Sequence, residues 1–138
     1  MHTPLDDYPM PPCAKLLGWR LLEHDADAGT ARVSFEATAD FLNPAGVVQG
    51  GILAAMLDDT MGPTVLLASR GAFYSPTIDM HVSFLAPAKA GTIVGEGRVV
   101  QLGKSIGFVE ATLRDGGGTA LARACASVRL VPAARLAA

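Results

Sequence analysis

The sequence predicts an α+β fold in which an antiparallel sheet of five to six strands wraps around one long central helix. Three observations point there. From Gly50 to about Ser69, apolar residues occupy nearly every side of a helical projection, the mark of a helix enclosed by protein. Six strand-like runs flank that helix, and the last four are joined by short loops carrying Pro87, Gly91, Gly103 and Gly116-Gly117-Gly118. Small residues share strand faces, Gly95 with Gly97, and Ala120 with Ala122, Ala124 and Ala126, so something bulky can approach closely.

The elements follow in order. Pro12 to Gly18 suits a short helical turn. Trp19 to His24 and Thr30 to Ala37 read as a hairpin through Asp27-Ala28-Gly29, with Val33 and Phe35 alternating against Arg32, Ser34 and Glu36. Within the central helix Pro63 removes a backbone donor, and a kink or break is expected near Asp59. Four strands come next, Ser75 to Ala86, Thr92 to Leu102, Ser105 to Arg114 and Thr119 to Val131. Their short loops make pairing of sequential neighbours the economical topology. Along the first of them Ile78, Met80, Val82 and Phe84 fall on one face and Thr77, Asp79, His81 and Ser83 on the other. The Ala-rich end after Pro132 reads as a frayed tail. All 138 residues form one domain with its core at about 19–131.

Hydrophobic residues make up 50% of the chain and charged residues 17%, an apolar excess that a subunit interface would absorb. The formal net charge of -2 offers no general basic field, which argues against nucleic acid as the main partner. Cys13 and Cys125 have neither metal-site nor disulfide spacing. His81 has no second histidine or cysteine at ligand spacing, so no metal site is expected. The first twelve residues hold Asp6, Asp7 and four prolines and lack the pattern of a signal peptide. No window is read as a membrane span, and the expected compartment is the cytoplasm.

The candidate chemistry lies between Phe41 and Asp58. Gly50 and Gly51 open the helix, where free backbone N–H groups face an electron-rich oxygen and absent side chains let a carbonyl come close. Asp58, read as a buried acid, lies seven residues beyond Gly51, about 700° of rotation and so on the same face. The two are about 10.5 Å apart along the axis. A carboxylate that attacks a carbonyl, or activates water against it, must lie roughly 3 Å from its target or one water away. Two antiparallel helices across a dyad solve this, each N-terminus facing the partner's acid, which gives two composite sites per dimer. Asp59 points about 100° away and is read as exposed or structural. The glycine pair could instead serve packing, and Asn43 before Pro44 is a common turn residue.

Asn43, Gln49-Gly50-Gly51, Asp58, the run from Thr77 to Gly91 and Leu102-Gly103-Lys104-Ser105 together resemble the PaaI-like acyl-CoA thioesterases of the hotdog superfamily, over roughly residues 35 to 131. The resemblance implies hydrolysis of an acyl-CoA thioester to free acid and CoA without metal or cofactor, in a homodimer that often pairs into a dimer of dimers. It implies Asp58 as general base or nucleophile, with the Gly50 amide, joined by Gly51, as oxyanion donor. Asn43 would orient water or carbonyl, and Thr77 matches a hydroxyl position near the attacking water. Asp79 and Phe84 fall in the matching strand motif as substrate contacts. Gly103, Lys104 and Ser105 form a connection that meets the CoA nucleotide or pantetheine, with Lys104 able to hold a phosphate.

One position departs from the family. Gln49 stands where histidine usually precedes the glycine pair. It can donate a hydrogen bond but cannot deliver a proton near neutral pH. A catalytically weak acyl-CoA or acyl-carrier binding module is therefore the alternative reading. A hotdog dehydratase is a third, disfavoured because the helix lacks a histidine paired with the acid. Phe73-Tyr74, near the helix end, offers an aromatic wall for the pocket.

Overall fold

The computed structural model describes residues 1–137. The element order is a one-turn helix α1 (Pro12–Leu17), the hairpin β1 (Arg20–Asp25) and β2 (Thr30–Ala37), the long helix α2 (Gly50–Ala68), and β3 (Phe73–Tyr74). There follow β4 (Thr77–Phe84), β5 (Gly91–Leu102), β6 (Ile106–Arg114), β7 (Ala120–Arg129) and β8 (Val131–Pro132). Six strands form one antiparallel sheet in the order β1-β2-β5-β6-β7-β4, and β3 pairs with β8 in a separate ribbon.

Pairing of sequential neighbours holds for β1 with β2 and for β5 through β7, but not for β4. That strand pairs with β7 and leaves its other edge unpartnered among the described residues. The long sheet instead joins β5 to β2 over eight residue pairs, Thr30↔Arg98 to Ala37↔Gly91. Loop length favours local pairing, but the sheet must close over both flanks of α2, so the strands either side of it belong to opposite ends of the sheet.

Helix α2 is packed along one side by the curled sheet, with Met56, Leu57, Met61 and Val65 essentially inaccessible among Val33, Phe35, Ile93 and Leu113. The small residues on β5 are what this packing requires. A Cβ at Gly95 would overlap Thr60 Oγ1, and one at Gly97 would overlap Thr64 Oγ1. Both threonine hydroxyls turn back to donate along the helix, to Met56 O at 2.8 Å and Thr60 O at 2.7 Å, so neither is orphaned in the core. Ala122, Ala124 and Ala126 give β7 the same low profile.

Pro63 does not end the helix at Asp59; α2 runs through to Ala68. Proline deprives the carbonyl four residues back, that of Asp59, of its helical donor. The Trp19 indole Nε1–H replaces it, donating to Asp59 O at 2.9 Å. Helix α2 is also long and apolar enough, by composition, to cross a membrane, contrary to the sequence reading; half of that stretch is buried inside the protein, as in a core helix. The C-terminal segment is held too. Ala133 is buried and its N–H donates to Ala72 O at 2.9 Å at the start of a 3-10 turn, Ala133–Ala137.

Candidate active site

Residues 41–49 form a tight loop that delivers the chain to the start of α2. Gln49 N donates to Phe41 O and Val48 N to Ala88 O, both at 2.8 Å. Asn43 builds the interior of the loop: its Oδ1 accepts from Ala45 N at 2.9 Å and Val47 N at 3.3 Å, an Asx turn. The turn role of Asn43 is thus realised, and its amide NH2 is left as a donor.

Gln49 is the N-cap of α2, but its exposed side chain makes no capping hydrogen bond. The N–H groups of Gly50 and Gly51 have no acceptor among the described residues, whereas Ile52 N and Leu53 N both donate to Gln49 O. Two donors therefore point out of the helix terminus toward its positive end. The glycines differ in their surroundings. The Phe84 ring lies over Gly50, with Cζ 3.2 Å from where a Cβ would stand, while nothing lies within 4 Å at Gly51. Packing explains the first glycine and leaves the second without a neighbour that requires it.

Asp58 is exposed on the single chain, which corrects its reading as a buried acid. Its Oδ1 accepts from Thr77 Oγ1 at 2.6 Å. The strand alternation places these two groups apart, and a β-bulge brings them together. Thr77 pairs with Val128 and Asp79 with Ser127, so Ile78 is the extra residue. Thr77 thereby joins Met80, Val82 and Phe84 on the helix side, and Asp79, His81 and Ser83 face away from it. Asp79 Oδ1 accepts from Ser127 N at 3.3 Å on that outer face, away from Asp58.

Strand β4 thus runs along the whole candidate site, with Thr77 at Asp58 and Phe84 at Gly50. The turn Gly103, Lys104 and Ser105 is exposed and lies at the sheet end where β4 begins, since Leu102, Gly107, Val128 and Thr77 form one cross-strand row. It is fixed by Gly103 N to Ile106 O at 2.9 Å and Leu130 N to Ser105 O at 2.8 Å. Phe73 and Tyr74 pair with β8 beyond the other end of α2, where Phe73 packs on the core.

The half-buried acid is Asp59. Its Oδ2 is sealed from solvent without a hydrogen-bond partner among the described residues. Burial, and next the charge of Asp58, push its carboxyl up to about 6. Sequence reasoning missed both this burial and the Trp19 contact; the spacing of Pro63 four residues after Asp59 was the available signal for the latter.

A family model for the thioesterase superfamily matches residues 45–122, the span from the loop before α2 to the start of β7. The chain belongs to the thioesterase superfamily. Its fold is the hotdog, six antiparallel strands around one helix. A solved structure of a phenylacetic acid degradation-related protein of Ralstonia eutropha JMP134 is 35% identical, with a TM-score of 0.84, covering 89% of this chain and 92% of that one. The esterase candidate SSO2140 of Saccharolobus solfataricus is 30% identical over 101 residues, 73% of this chain and 71% of that protein. Human acyl-coenzyme A thioesterase 13 is 28% identical over 89 residues, 64% of this chain and 63% of its own length. The superfamily places the chain among thioester hydrolases, and its residues at the Gly50 helix terminus and at Asp58 fall inside the matched span.

Proposed function

We propose that the chain hydrolyses an acyl-CoA thioester in composite sites formed by two copies. The observation that carries this reading is Asp58, held by the Thr77 hydroxyl at 2.6 Å and exposed on a single chain beside an unpartnered strand edge. On one chain the open amides of Gly50 and Gly51 lie about 10.5 Å from it along the helix, too far for one carbonyl to meet both. A second copy, antiparallel along the β4 edge, brings its own helix terminus to this Asp58. Ile78, Phe84 and Leu85, more than half exposed on the single chain, would be covered by such an interface. Two such dimers pairing would complete a tetramer.

In this scheme the thioester oxygen accepts from the Gly50 N–H, joined by Gly51, and Asn43 and Gln49 supply further amide donors. Asp58 takes a proton from water as it attacks, or attacks the carbonyl carbon itself to give an anhydride that water opens. Either way the electron pair moves to the carbonyl oxygen, and collapse breaks the C–S bond and releases CoA as a thiolate. The preorganised amides contribute on the order of 3–4 kcal/mol at the transition state. No step requires a metal or cofactor. Lys104, at the sheet end where Thr77 lies, meets the phosphates of CoA. Among the other proposed contacts, Phe84 lines the acyl group and Asp79 serves a neighbouring copy across the outer face. A cytoplasmic setting supplies such substrates.

The test is thiol release from short, medium, long and aromatic acyl-CoAs, beside Asp58→Asn at matched folding and oligomeric state. A fall of at least about a hundredfold is expected. Turnover indifferent to the variant would remove Asp58 from the chemistry. Saturable binding without turnover would favour the binding module, the reading that the uncapped, non-acidic Gln49 supports.

A further inference from the structure

A second cleft, of about 460 Å³, opens on the side of α2 away from Asp58. Its walls come from the N-terminal segment, from Trp19 and Leu21 at the start of the hairpin, and from Pro63 and Leu66 of α2, with Asp59 among its lining. The volume lies within the range of about 300–1,000 Å³ typical of small-molecule sites. It is a site apart from the thioester chemistry, because successive helical residues diverge by about 100°.

Two features define what the cleft would hold. Its acid is unserved: the Asp59 carboxyl accepts no hydrogen bond among the described residues, and with Oδ2 sealed from solvent it is Oδ1 that a ligand in the cleft would meet. Its surroundings carry no positive side chain, for no lysine or arginine lines it among the described residues. The other groups facing it do not meet that need. Asp6 is acidic and already accepts from Thr3 N at 2.6 Å. Tyr8 donates its hydroxyl to Ala133 O at 3.3 Å. Met1 is exposed at the rim, and its α-amino charge, like that of His2, acts on Asp6. Asp58, the adjacent acid, adds further negative charge. Apolar and aromatic walls around one uncompensated carboxylate suit a compact cation with a hydrocarbon body, its ammonium on the acid and its charge near the Trp19 ring.

We propose that this cleft is a second ligand site that takes a small apolar monoamine in its ammonium form, with Asp59 as its counter-ion. The site is independent of the hydrolase reading. Because the Asp59 carboxyl is pushed up to about 6, it is ionised at pH 8 and largely protonated at pH 4.5, so binding weakens as the solution is acidified.

The experiment is calorimetric titration of the full chain with n-hexylammonium chloride at pH 8 and pH 4.5. The comparisons are 1-hexanol, Asp59→Asn and Asp58→Asn, each variant checked for folding by circular dichroism. Expected is one saturable site per chain at pH 8, weakened at least about tenfold by Asp59→Asn, by pH 4.5 and by replacing the ammonium with the alcohol, and retained in Asp58→Asn. Absence of saturable binding to the wild-type chain would overturn the proposal. So would binding that ignores Asp59, or binding lost instead in Asp58→Asn. Were Asp59→Asn to unfold, the acid-pH and alcohol arms would still decide.

Discussion

Thr77 reaches Asp58 because β4 breaks its alternation at Ile78. A hydroxyl that donates to a carboxylate fixes its rotamer and leaves the second oxygen for water or for the carbonyl carbon. If Asp58 carries the chemistry, Thr77→Val, which keeps the shape and deletes the donor, lowers kcat about tenfold with little change in KM. Steady-state thiol release measures the split, and a rise in KM at unchanged kcat would move Thr77 to substrate binding. The sequence marked both residues, but the family resemblance joined them; the period-two pattern put Thr77 on the outer face with Asp79. One inserted residue reverses every face upstream of it, and composition carries no trace of such an insertion. Asp58 and Asp59 were misassigned in burial for a related reason. Helical rotation separates two neighbours by about 100°, but it does not say which of the two sides the rest of the chain will cover.

At the scale of elements, α2 shows how a local rule is overridden by a distant residue. Pro63 should have ended the helix, and its cost falls on the carbonyl of Asp59, which Trp19 satisfies from forty positions away. Trp19→Phe leaves that buried acceptor orphaned and destabilises the fold by about 1–3 kcal/mol. Pro63→Ala restores an ordinary helical N–H. In its presence Trp19→Phe therefore costs less, and urea denaturation of the four proteins of this cycle would report the coupling. Additive losses would show that the indole acts through packing alone. The helix itself was legible because its apolar residues recur on every side, and so were the strands, whose alternation is local. Partner choice was not: nothing within Thr77–Phe84 distinguishes β5, its neighbour in sequence, from β7, its neighbour in the sheet. That choice is set by the closure of the sheet on Thr60 and Thr64, which meet Gly95 and Gly97 with no room for a Cβ.

At the scale of the whole molecule, a single chain holds both halves of the proposed site but points them at different places. The helix terminus and Asp58 share a face, and β4 leaves its edge free beside them. If the sites are composite, lesions in the two halves complement each other in mixed dimers. Gly50→Pro removes the oxyanion N–H at a position where proline suits the first helical turn, and Gln49, at φ -57° and ψ 135°, already has the backbone that a following proline demands. At the Cβ position the group that must give way is the exposed Phe84 ring. Each homodimer of Gly50→Pro or Asp58→Asn has two damaged sites. A heterodimer concentrates both lesions in one site and leaves the other intact. Random mixing makes half the dimers heterodimeric, each with one working site of two, so activity returns to about one quarter of wild type. Refolding the two variants together and measuring thiol release against each alone reads this directly. No recovery, with mixed dimers demonstrated by a charge-tagged copy, would overturn the composite arrangement, since two sites that each drew donor and acid from one chain would both stay damaged in the heterodimer.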